Sequence, residues 1–213
     1  MQQDKNMKIE VNKQEIFTDY VWSFMMPDHE HWKKEIENIV LVEKNKSIHN
    51  FSTENLQDKP VRAHKTAWDS FRRYPAVFNI VKIIAAVIKE SIEQEGWEAP
   101  NLTAMDGWIN WFEKNQFAHQ HQHNTLLSAV YYVSSEHSPS EFFFHRDDRF
   151  RLRKENEESN IKLVKPKEGS VIFFTGCQSH SVSANTSDQT RITLAINYMG
   201  DYVKNWNPYD KAK

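Results

Sequence analysis

His121 and His123 stand two positions apart in a polar stretch, His180 returns far along the chain, and Arg191 follows soon after it. Three imidazoles converging on one point can hold a transition metal, two from one extended segment and the third from another, as in a facial site. An arginine beside such a metal can hold a carboxylate through two parallel N–H···O bonds. The residue types therefore point to metal chemistry with an acidic co-ligand. Each has a plainer reading when taken alone. An isolated H-x-H is more often a polar strand edge or a loop, and a lone histidine after a buried strand is usually a hydrogen-bonded polar group. In the run His119, Gln120, His121, Gln122, His123, an extended backbone would turn all three imidazoles to one face.

Arg191, Thr193, Ala195 and Asn197 alternate along a β-like run, and the last three are small or hydrogen-bonding rather than bulky. A surface-strand arginine means little. An inward one is costly unless it meets an anion. A carboxylate supplies that anion, and Thr193 can add a hydroxyl donor. Ser128, Val130 and Tyr132 share a face of the run Leu126–Val133, from which Tyr132 can give the same carboxylate a phenolic hydrogen bond.

The elements that must position these groups change character near residue 100. Trp32, Ile36, Ile39 and Val40 have helical spacing behind Asp28, a candidate N-cap. The stripe Val77, Ile80, Val81, Ile84, Val87, Ile88, Ile92 predicts a helix over Pro75–Glu95, with proline in its first turn and Gly96 at its end. Phe51–Lys65 reads as loop. From Leu102 the period becomes two, with strands expected at Met105–Phe112, Leu126–Val133, Glu141–Phe144, Ile161–Lys165, Ser170–Thr175 and Thr190–Tyr198. This pattern predicts an α+β, mainly β fold: a double-stranded β-helix (jelly-roll, cupin-like) core with N-terminal helices packed on one face. One domain over residues 1–213 is expected, helix-rich over 1–100, jelly roll over 101–200, with a tail over 201–213. Arg146–Asn160 reads as a charged loop long enough to act as a lid.

Composition narrows the function classes. A net charge of -2 with 26% charged residues gives no footprint for nucleic acid. No apolar run approaches the ~20 residues needed to span a bilayer. The N-terminus lacks an apolar secretory segment, and the single Cys177 has no disulfide partner within the chain, so a reducing, cytoplasmic setting is expected. Cys177 itself reads as a small buried or semi-buried side chain, with no base or redox partner in view. Trp108, Trp111 and Phe112 read as core and inter-sheet packing rather than a base-stacking platform. His29, His31, His137 and His145 read as solvated surface histidines. Trp206 and Tyr209 sit in a lysine-bearing tail.

Three stretches, GWINWFEKNQFAHQHQHNTLLSAVYYV, KPKEGSVIFFTGCQSHSV and TRITLAINY, occur in that order. Over roughly residues 102–200 the chain resembles the prolyl-hydroxylase-type Fe(II)/2-oxoglutarate-dependent oxygenases, more narrowly those of bacteria and of phages of marine cyanobacteria. The resemblance extends more loosely to Ile16–Trp22 and the long helix. It implies Fe(II), 2-oxoglutarate and dioxygen as cofactors and co-substrates, with His121 and His180 as metal ligands. It also implies that Arg191, helped by Thr193 and Tyr132, binds the far carboxylate of 2-oxoglutarate, and Asn197 is expected on the same co-substrate face. Most members carry an acid where this chain has His123. Either His123 ligates, the favoured reading, or an acid such as Asp147 or Asp148 reaches in. His119 and Gln120 are expected on the rim. The implied reaction is hydroxylation of a C–H of a peptide or small molecule with release of succinate and CO2. The alternative is a cupin-like metal-binding or interaction module without 2-oxoglutarate turnover, against which Arg191 argues. An exposed sheet edge would allow a homodimer.

Overall fold

The computed structural model describes residues 10–16, 19–45, 61–135, 141–146 and 160–201. In chain order these form β1 (Val11–Ile16), β2 (Asp19–Met25), α1 (His29–Asn45), β3 (Val61–Arg62), β4 (His64–Lys65), α2 (Ser70–Arg73) and α3 (Pro75–Gln94). There follow β5 (Leu102–Phe112), β6 (Phe117–His121), β7 (Leu127–Ser134), β8 (Phe142–His145), β9 (Ile161–Val164), β10 (Ser170–Thr175), β11 (His180–Val182) and β12 (Arg191–Gly200). The strands make two antiparallel sheets. The larger runs β1-β2-β10-β7-β12-β5-β4 and the smaller β3-β6-β11-β8-β9.

The alternation of side chains along a strand gives the larger sheet two different faces. Ile192, Leu194, Ile196 and Tyr198 of β12 join Ile109 and Trp111 of β5 and Ala129, Tyr131 and Val133 of β7 in one buried cluster with the apolar stripe of α3. The Tyr198 hydroxyl donates to the Val81 carbonyl at 2.9 Å, tying sheet to helix. On the other face, Val21, Tyr132, Ile172 and Phe174 meet Phe142 and Phe144 of β8 between the two sheets. The expected fold, a mainly β jelly roll with helices on one face, is the fold observed.

The seven stripe residues of α3 are all buried, and Gly96 takes the φ of +78° that a glycine after a helix end tolerates. Strand ends fall within three residues of the expected ones, and Ser170–Thr175 matches at both. Residues 1–100 need a larger correction, because β1 and β2 form a hairpin whose second strand pairs with β10. Val21 packs between the sheets while Trp22 and Phe24 pack on the helix side. Burial on both faces replaces the alternation that betrays a half-buried strand. The stretch Phe51–Lys65 ends in β3 and β4 rather than loop. Asp28 sits at φ +53° and contributes its main-chain carbonyl, which accepts from the amides of His31 and Trp32. Asp147, Asp148, His137, Trp206, Tyr209 and nearly all of the Arg146–Asn160 segment lie outside the described residues. No described helix is long and apolar enough to cross a membrane.

Candidate metal centre

β6 and β11 are hydrogen-bonded neighbours in the smaller sheet, and their register sets His121 directly opposite His180. The two rings lie 4.3 Å apart, centroid to centroid. His123 falls just past the end of β6, where the chain turns back toward β7. Its ring lies 5.2 Å from each of the other two. One ring nitrogen from each of the three comes within 4.8 Å of the others, a grouping that could hold a metal ion. His119 is not in this group. It is exposed, its ring set edge-on to Phe117, and the β6–β11 register shifts between the pairs Val182–Ala118 and His180–His121, an irregularity that breaks the alternation between positions 119 and 121.

Gly176 makes the turn carrying His123 possible. The His123 amide donates to the Gly176 carbonyl at 2.8 Å and the Gly176 amide to the Leu126 carbonyl at 3.1 Å. A Cβ at position 176 would lie 2.3 Å from the Thr125 carbonyl oxygen, an approach that only glycine allows. The residue that follows, Cys177, is exposed rather than buried.

The rings are held differently. Nδ1 of His121 donates to the His119 carbonyl at 2.7 Å, and Nδ1 of His180 donates to the Gln178 carbonyl at 2.8 Å. In each neutral ring the lone pair is therefore on Nε2, as metal binding requires. Nδ1 of His123 instead faces Nδ2 of Asn197 at 3.3 Å. Burial lowers all three imidazole pKa values, that of His123 to about 4, with His121 adding to the effect. The rings are neutral at pH 7.

The inner face of the larger sheet completes the cleft, which Trp108, Asn110, Tyr132 and Thr193 line together with the three histidines. Thr193 of β12 is in register with Tyr132 of β7 on one side and Asn110 of β5 on the other. Arg191 is fully buried. Its Nη2 donates to the Ser183 carbonyl at 2.9 Å and its guanidinium lies 4.5 Å from the Phe112 ring centroid. Among the described residues its Nε and Nη1 have no partner, and neither has the buried Tyr132 hydroxyl. Burial draws the guanidinium pKa down to about 10, with Tyr132 acting the other way, which leaves it charged at neutral pH. Burial raises the Tyr132 phenol. A buried cation with two idle N–H groups beside an idle phenol costs several kcal/mol unless an anion joins them. A carboxylate is the size and charge that fits. The sequence expectations for His121, His123, His180, Arg191, Thr193 and Tyr132 thus fall in one region. Asn197 lies at the histidine end instead, its amide committed to Ser128 and Asp106.

Asp106 and Asn110 were not among the expected site residues. Their signal is the polar alternation Asp106, Trp108, Asn110 within the otherwise apolar stretch DGWINWF of β5. Two surface expectations also change. His29 is mostly buried, its Nδ1 2.7 Å from the Tyr131 hydroxyl, and His145 closes β8 half-buried, its Nε2 2.8 Å from the Ser181 hydroxyl. Trp108, Trp111 and Phe112 are all buried; Trp111 packs in the core beneath the helices, whereas Trp108 and Phe112 line the cleft.

Residues 106–197 match the family model described as "Putative 2OG-Fe(II) oxygenase". No curated protein sequence matches the chain significantly. Three solved structures show the likeness of fold. The non-heme alpha ketoglutarate dependent carbocyclase SnoK from nogalamycin biosynthesis is 16% identical with a TM-score of 0.59, over 90% of this chain and 89% of its own. The epimerase SnoN from the same biosynthesis is 15% identical with a TM-score of 0.57, over 90% and 84%. HygX from Streptomyces hygroscopicus, solved with nickel, 2-oxoglutarate and hygromycin B bound, is 12% identical with a TM-score of 0.57, over 85% and 83%.

Proposed function

On the premise that this chain is a 2OG-Fe(II) oxygenase, the family its residues 106–197 match, we propose that His121, His123 and His180 hold the iron and that Arg191 holds 2-oxoglutarate. The observation that carries the reading is the Arg191 guanidinium, fully buried with Nε and Nη1 unpartnered beside the unpartnered Tyr132 hydroxyl. The far carboxylate of 2-oxoglutarate accepts from Arg191 and Tyr132 there, with the Thr193 hydroxyl in register beside them. Bound iron supplies the decarboxylation of 2-oxoglutarate by dioxygen to succinate and CO2 and the oxidising equivalent that attacks a substrate C–H. The chain's own part is to fix the two ends of the co-substrate and to keep water out of the cleft. Phe142 of β8 and Phe174 of β10, packed against His180 with centroids 5.1 and 5.0 Å away, do the latter from the two facing sheets.

The proposed reaction is hydroxylation of a small-molecule or peptide substrate. SnoK and SnoN are named as a carbocyclase and an epimerase, so the fold admits other outcomes of the same oxidation. A reducing, cytoplasmic setting belongs to this reading, supported by the ferrous cofactor and the exposed lone Cys177. Among the described residues β1 and β4 edge the larger sheet and β3 and β9 the smaller, and two copies would pair along such an edge.

The test is release of succinate from 2-oxoglutarate by the purified chain with Fe(II) and air. Release is expected from the wild type and not from His121→Ala or His180→Ala. A wild type that binds iron yet forms no succinate would sink the assignment.

A further inference from the structure

The three imidazoles are not equally free to bind a metal. His121 and His180 each donate from Nδ1 to a main-chain carbonyl, so each neutral ring keeps an open lone pair on Nε2. At His123 the partner is the amide nitrogen of Asn197, 3.3 Å from Nδ1. An amide nitrogen only donates. The lone pair on Nδ1 is therefore taken, and the neutral ring carries its proton on Nε2. In this arrangement neither nitrogen of His123 has a lone pair to offer.

What fixes the amide is a short chain of side chains. Nδ2 of Asn197 donates to Oδ1 of Asp106 at 2.7 Å, and Oδ1 of Asn197 accepts from the Ser128 hydroxyl at 2.7 Å. An ionised carboxylate only accepts, so Asp106 admits the nitrogen of that amide and not its oxygen. Ser128 imposes no such choice, since a hydroxyl serves as donor or acceptor. The strands set the chain in place. Asn197 pairs with Asp106 across β12 and β5 and with Ser128 across β12 and β7. Asn197 and Ser128 are buried and the Asp106 carboxyl is half-buried, where such bonds are not loosened by water.

We propose that Asp106, acting through Asn197, is a positioning residue that withholds His123 from the metal. The proposal rests on the three-histidine site proposed above. The chain holds two ligands ready in β6 and β11, while the third joins only when the Asn197 amide turns over. Turned over, Asn197 accepts from Nδ1–H of His123 and donates to Ser128. Its oxygen then faces the Asp106 carboxylate, and that opposition of two acceptors is what the carboxylate holds against. Asparagine at position 106 removes it, because its own amide can donate to the turned Asn197.

Metal affinity tests this without any turnover. Co(II) binding to the metal-free chain is measured by competition with a chromophoric chelator, together with the Co(II) ligand-field spectrum. Asp106→Asn is expected to tighten Co(II) binding about 10-fold, the scale on which ligand-orienting partners act, and to add the intensity of a further nitrogen ligand. Asn197→Ala, which frees Nδ1 by a different route, is expected to tighten it too. In a His123→Ala background Asp106→Asn is expected to change nothing. Unchanged or weaker binding in both single variants overturns the proposal, and so does a gain that survives His123→Ala. Melting of the metal-free variants separates loss of fold from loss of the clamp. If His121→Ala leaves Co(II) binding intact, the metal site itself is wrongly placed. If His121→Ala abolishes binding while Asp106→Asn does not tighten it, only the withholding of His123 fails.

Discussion

The two faces of the larger sheet are built from the same strands by the same alternation, yet they differ in kind. Toward the helices, β12 presents Ile192, Leu194, Ile196 and Tyr198, and the one polar group among them is satisfied by the Val81 carbonyl. Toward the smaller sheet it presents Arg191, Thr193, Ala195 and Asn197, three of them buried polar residues. The first face is a packed core whose value is stability. The second keeps a fully buried cation with idle donors, an arrangement that works against stability and makes sense where an anion is to be bound. A one-residue slip of register would exchange the two faces, which is why β12 is held on both sides, by β5 and β7.

The contrast can be broken most heavily from the helix side. Leu194→Ala removes a fully buried side chain and is expected to cost about 2 to 5 kcal/mol of unfolding free energy in a urea titration. Its effect on 2-oxoglutarate affinity should be no more than the loss of folded protein accounts for. Arg191→Met makes the opposite trade. Removing a buried, half-partnered guanidinium is expected to leave the metal-free fold as stable or more so. It should weaken 2-oxoglutarate binding on the order of 100-fold, since a buried charge-assisted carboxylate bond is worth several kcal/mol. A lower melting temperature together with unchanged 2-oxoglutarate affinity would erase the distinction between the faces.

Protons sharpen it further. The pKa of His123 is about 4 in the folded chain against an ordinary 6.5, and those of His121 and His180 are also lowered by burial. The unfolded chain therefore binds more protons than the folded one across that interval. Stability of the metal-free chain is expected to fall as pH drops from about 6.5 toward 4, read as urea midpoints along the pH series. His123→Ala should flatten part of that slope, and a slope the substitution leaves unchanged would say the ring is not buried as described. The smallest effect belongs to Tyr132→Phe. Its hydroxyl has no partner among the described residues, so stability should hold while 2-oxoglutarate affinity falls roughly 2- to 12-fold, the worth of one hydrogen bond. An unchanged affinity would remove Tyr132 from the co-substrate contacts.

The inner face was the more legible of the two in the sequence. Metal-ligand and carboxylate chemistry uses few residue types at fixed spacings, so His121, His180 and Arg191 could be picked out, and strand alternation placed Thr193 and Tyr132 on the inner face. The α3 stripe was equally plain because seven apolar residues at helical spacing leave one reading. β1 and β2 were not, since β2 is buried on both faces and shows no alternation. Asp106 escaped because it acts through Asn197, and a group that reaches the metal only through another side chain leaves no spacing of its own. His29 was misread as surface for a related reason. Its partner Tyr131 is remote in sequence and comes to it only through the docking of α1 on β7.

The most direct test of the account is an anaerobic titration of the iron-loaded chain with 2-oxoglutarate, watching for the weak visible charge-transfer band of a 2-oxo acid chelated to Fe(II). The account predicts that the band grows to saturation in the wild type, needs far more 2-oxoglutarate in Arg191→Met, and is lost in His121→Ala. Iron bound by the wild type with no band at saturating 2-oxoglutarate would contradict it.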